Sequence, residues 1–61
     1  MITIEDAKLP GDFLTAKIRE EAHGDLVEIS IDGSDIEIID ITKENAIALG
    51  RHLIRLGENN G

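Results

Sequence analysis

The sequence predicts an α+β fold: a small antiparallel β-meander of three or four strands, then one C-terminal amphipathic helix packed on one sheet face. Two observations carry this expectation. Short apolar–polar alternations recur between turn residues, with Asp32-Gly33 dividing two of them as a hairpin turn would. From Thr42 onwards the apolar spacing changes to the three-and-four rhythm of a helix.

The elements follow in order. Ile2-Thr3-Ile4-Glu5 alternates, so Ile2 and Ile4 share one face of a short strand. Leu9-Pro10-Gly11-Asp12 interrupts it with a turn, since proline fixes φ and glycine permits positive φ. Residues 13–22, FLTAKIREEA, are readable in two ways. As a helix they would start at an Asp12 cap and end before Gly24; as a strand, Leu14, Ala16 and Ile18 alternate with Thr15, Lys17 and Arg19. Cross-strand pairing favours the strand. A two-residue turn at His23-Gly24 would set Ile18 against Ile29, Ala16 against Ile31 and Arg19 beside Glu28.

A type I′ turn at Asp32-Gly33 would likewise set Ile29 against Ile36 and Val27 against Ile38. That register brings Glu28 against Glu37 and turns Leu26, Ile39 and Ile41 towards the polar face. A four-residue loop from Asp32 to Asp35, or a bulge near Ile39, are the alternatives. The helix is the clearest element. Thr42 suits the N-cap, Glu44 the first turn, Arg51 and Arg55 the later turns, and Gly57 a C′ position. Ala46, Leu49, Leu53 and Leu56 form its stripe, broadened by Ile47 and Ile54, with Ala46 and Gly50 as a smooth patch. The expected organisation is one domain: an N-terminal strand and turn over 1–12, the meander over 13–41, the helix over 42–57, and a frayed tail over 58–61.

Composition bounds the function. A 61-residue chain lies near the lower size limit for folding without staples, and this one has no cysteine. Disulfides, thiol chemistry and cysteine-based zinc sites are therefore excluded. Its core must be aliphatic, from eleven Ile and six Leu with Phe13 as the one aromatic, and that invites oligomerisation. No apolar run reaches the about 20 residues of a membrane span, and MITIEDAKLPG has no signal-peptide character, so the expected compartment is the cytoplasm. The formal net charge of −7 opposes binding to phosphate polyanions.

No constellation points to catalysis. His23 and His52 have no orienting partner nearby in sequence, and Ser30 and Ser34 lie in no G-x-S-x-G context. Asp32-Gly33-Ser34-Asp35 lacks the ligand spacing of an EF-hand loop and reads as a turn. No cofactor or metal is expected. The run from Glu20 to Glu44 carries nine acids and one base, Lys43. Glu28, Asp35 and Glu37 are the candidate residues for an acidic face that steers a basic protein partner. Leu26, Ile39 and Ile41, with Ala46 and Gly50, are the candidate oligomer interface, because a sheet with one helix leaves aliphatic residues over.

The run DGSDIEIIDITKENAIALG, within Val27–Leu56, resembles small phage- and prophage-encoded proteins of strand–strand–T-x-E–helix form. That resemblance implies a stoichiometric accessory protein of anti-defence type, which binds and inhibits a host enzyme or defence complex. A meander followed by a helix is also similar to the coactivator-like single-strand DNA-binding fold, which implies a dimer and a nucleic-acid ligand. The primary expectation is a non-enzymatic acidic interaction protein, a homodimer or higher oligomer, inhibiting a host nucleic-acid-processing or defence protein. The alternative is an oligomeric nucleic-acid-binding protein using Lys17, Arg19, Lys43, Arg51 and Arg55.

Overall fold

The computed structural model describes residues 1–59. Four antiparallel strands lie side by side in sequence order: β1 (Ile2–Glu5), β2 (Phe13–Arg19), β3 (Leu26–Asp32) and β4 (Ile36–Ile41). The helix α1 (Lys43–Glu58) follows β4 after one residue. Residues 13–19 are thus a strand, and β1 completes the meander as its outer member. Cross-strand pairing outweighs the helix propensity of Ala16, Lys17 and Arg19.

The first turn closes through backbone and side chain together. Asp12 N–H donates to the Leu9 carbonyl at 3.2 Å, and Gly11 adopts φ 97°, as the third position of a type II turn requires. Asp6 Oδ1 accepts from the Lys8 and Leu9 amides at 2.7 and 3.2 Å, and Glu5 Oε2 accepts from Gly11 N–H at 3.2 Å.

Both later connections differ from the two-residue turns expected. β2 and β3 are joined by residues 20–25, with Gly24 at φ 121° and its N–H donating to the Glu21 carbonyl. Ile18 therefore faces Val27 instead of Ile29, and Lys17, not Arg19, stands opposite Glu28. The shift is by two residues, so every side chain keeps its face. The β3–β4 change has larger consequences. Asp32 pairs with Ile36 across a loop of residues 33–35, and neither Asp32 nor Gly33 has the positive φ of a type I′ turn. Relative to that turn the register moves by an odd number, which inverts β4. Ile39 now faces Ile29 and Ile41 faces Val27, while Ile36 and Ile38 pass to the other side. The physical gain is a ladder that continues to Ile41, next to the helix cap, while Glu28 exchanges one acidic neighbour, Glu37, for another, Asp40. Gly33 answers to space instead of φ: a Cβ there would lie 2.5 Å from Asp12 Oδ1.

The helix start is as expected. Thr42 Oγ1 accepts from Asn45 N–H at 3.1 Å and the Thr42 carbonyl from Ala46 N–H at 2.9 Å. Its end is not. The helix runs through Gly57 to Glu58, and Asn59 caps it in right-handed conformation with its N–H on the Arg55 carbonyl at 2.9 Å. Of the expected frayed tail, Asn60 and Gly61 lie outside the described residues.

The helix contacts the sheet along β3, and only Ala46 and Gly50 in it are half-buried. No residue among those described is buried. The Cα radius of gyration is 13.1 Å, against about 10.5 Å for a compact chain of this length.

Candidate interaction surfaces

The registers sort the side chains into two faces, because directly opposed residues in antiparallel strands share a side. One face is aliphatic. Ile2 and Ile4 lie beside Ala16 and Leu14; Leu14, Ala16 and Ile18 lie beside Ile31, Ile29 and Val27; Ile29 and Val27 lie beside Ile39 and Ile41. Its one charge is Glu37, opposite Ile31. This face is only partly covered: Ala16, Val27, Ile29 and Ile41 are half-buried, while Ile2, Ile4, Ile18, Ile31 and Ile39 are 50–59% exposed. Open depressions on it are lined by Ile4, Leu14 and Ile31, and by Ile2, Ala16, Ile18 and Val27.

The other face carries charges that satisfy one another. Lys17 Nζ lies 3.5 Å from Glu28 Oε2, while Arg19 reaches Glu28, Asp40 and Glu21 at 3.5, 3.5 and 3.0 Å. Glu28 and Asp40 are cross-strand neighbours, and Arg19 between them screens a pair that would otherwise repel. Each such bridge is worth about 0.2–1 kcal/mol, since its cation is about half exposed to water. The Glu28 side chain is only 13% exposed.

The three candidate acidic residues therefore do not form one face. Glu28 is engaged on the polar face, Asp35 sits in the β3–β4 loop, and Glu37 projects from the aliphatic face. Carboxylates gather instead at one end of the sheet, because a meander brings its first and third connections together. Glu5, Asp6 and Asp12 meet Asp32 and Asp35 there, with Asp12 close against Gly33. The sequence reading missed Asp6 and Asp12, since their approach to the second hairpin depends on β1 joining β2. Their alternation with turn residues was the available signal.

The candidate oligomer residues also separate. Ile39 and Ile41 belong to the aliphatic face, Leu26 stands opposite Arg19 on the polar face, and Ala46 and Gly50 line the inner side of the helix. A Cβ at Gly50 would meet nothing within 4 Å, so the smooth patch is not closely approached by the chain itself. Beyond it Leu49, Leu53, Ile54 and Leu56 are 40–61% exposed.

Among the described residues no group of three or more His, Asp or Glu is placed to hold a metal ion, and no helix is long and apolar enough to cross a membrane. His23 and His52 are exposed. His23 lies with Asp25, Lys43 and Glu44 around a depression where the β2–β3 loop meets the helix start. Asp25 and Lys43 are 3.9 Å apart there. Compared with known protein families, curated proteins and solved structures, the chain gives no match.

Proposed function

We propose that the protein is a non-enzymatic interaction module, cytoplasmic and oligomeric, that acts by occupying a basic surface of another protein. Its concrete form is a phage-type inhibitor of a host nucleic-acid-processing or defence protein. The observation that carries the reading is the acidic end of the sheet, where Glu5, Asp6, Asp12, Asp32 and Asp35 gather with Lys8 as the one nearby base. Such a surface complements the phosphate-binding groove of a nucleic-acid enzyme and accelerates encounter with it. Glu5 and Asp6 also hold the β1–β2 turn through backbone amides. That leaves Asp32 and Asp35 as the residues best placed to meet a partner, replacing the Glu28–Asp35–Glu37 set. The nucleic-acid-binding alternative has less support, because Lys17, Arg19 and Lys43 are already paired with carboxylates.

The test is capture of partners on immobilised protein at low salt, compared with the D32N/D35N variant. A nucleic-acid-binding protein retained by the native chain, eluted by salt and lost with the variant is the expected result. Equal retention by both would remove the acidic end from the reading. A mobility shift of DNA or RNA by the native chain would favour the alternative.

A further inference from the structure

We propose that a second copy of this chain completes the fold, in a two-fold dimer where each helix covers the aliphatic sheet face of the other protomer. The proposal rests on the oligomeric part of the functional reading and is independent of any foreign partner. A folded chain of 6.7 kDa exposes about 3,900 Å². This chain exposes 5211 Å², an excess of about 1,300 Å². Obligate dimers bury about 2,000–5,000 Å² in total, or about 1,000–2,500 Å² per partner, so the excess matches one side of such an interface.

The two bare surfaces have matching chemistry. The sheet presents Ile2, Ile4, Ile18, Ile31 and Ile39 without a helix over them. The helix meets its own sheet mainly at β3 and leaves Leu49, Leu53 and Ile54 40–61% exposed. Each is half of a two-layer α+β unit. Thr42 is the single residue between β4 and α1, and the helix that follows it meets the sheet mainly along β3, with only Ala46 and Gly50 half-buried. Exchange between two copies covers both surfaces, and an isologous arrangement closes with no further surface left to propagate.

Charge is consistent with the exchange. Glu37 is the one carboxylate on the aliphatic face, and Arg51 lies one helical turn beyond Ile47 at the margin of the apolar stripe. Neither forms an ion pair within the described chain, so each is available to the other across the interface.

Sedimentation equilibrium of the full chain, in low salt and in 1 M NaCl, provides the first test. The expected mass is twice 6.7 kDa in both, because apolar contact between two chains of charge −7 is not weakened by screening. A mass of 6.7 kDa at every concentration up to about 1 mM would overturn the proposal. The second test uses the absence of native cysteine. Equal amounts of Ile39→Cys and Leu53→Cys proteins are mixed and oxidised. A mixed disulfide in at least tenfold excess over either homodisulfide is expected, and preferential Leu53→Cys homodisulfides would overturn the exchanged arrangement. Loss of partner capture with an intact dimer would sink only the acidic-end reading, and a monomer that still captures a partner only the dimer.

Discussion

The two faces of the sheet are built from the same strands and meet opposite fates. On the polar side, Lys17, Glu28, Arg19 and Asp40 form a chain of ion pairs with 3.5 Å between successive members. On the aliphatic side, Val27, Ile29 and Ile41 are half-buried, while Ile2, Ile4, Ile18, Ile31 and Ile39 keep half or more of their surface in water. Charged side chains can satisfy one another in the plane of a sheet and face water on their outer side. Aliphatic ones gain most of their stabilisation only when water is removed from above as well, at about 25 cal/mol per Å². The charged part of the polar face is therefore satisfied within the sheet, although Ile36 and Ile38 beside it stay 67% and 57% exposed, while the aliphatic face needs another layer.

Adjacent residues of β3 test this contrast most sharply. Ile29 points into the aliphatic face and Ser30 into the polar one. Ile29→Asp should lower stability by about 3 kcal/mol, since it places a charge among isoleucines. Thermal unfolding followed by circular dichroism would read it, with loss of the dimer in sedimentation. A cost under about 0.5 kcal/mol would mean that the aliphatic face stays open to water.

Thr42→Ala addresses the junction that joins sheet to helix. Losing the Thr42 Oγ1 acceptor for Asn45 N–H should cost about 1 kcal/mol, seen as a lower melting temperature and reduced helical signal. Arg19→Met leaves Glu28 and Asp40 facing each other without their shared cation. A loss of about 0.5–1 kcal/mol is expected in low salt, shrinking in 1 M NaCl as screening replaces the guanidinium. An effect that ignores salt would assign Arg19 a packing role through its stem instead. Ser30→Ala, on the polar face, should change stability by no more than about 0.5 kcal/mol in denaturant titration.

Much of this architecture was legible from local pattern. Period-two alternation marked β1, and cross-strand pairing selected the strand over the helix for β2. The hairpin pattern marked β3 and β4 although their apolar phase breaks at Ile38-Ile39, and the polar–apolar rhythm after Thr42 marked the helix and its cap. The Asp32-Gly33 pair misled because the strands pair at Asp32 and Ile36 across residues 33–35, and Gly33 does not adopt positive φ there. Gly57 misled in a similar way, since a glycine can continue a helix when a later residue, here Asn59, supplies the cap. The candidate acidic face failed with the β4 register, because one odd slip sends Glu37 and Asp40 to opposite sides from those assumed.

By itself, then, the sequence determined the order of the elements, the two-sidedness of β1, β2 and β3 and the surplus of isoleucine. Those are properties of neighbours in the chain, set by alternation, turn residues and capping. Only the tertiary structure decided which isoleucines share a face, where the carboxylates gather and how little the helix covers. Those depend on pairing register and on the one-residue connection at Thr42, where small offsets between distant strands redistribute whole rows of side chains.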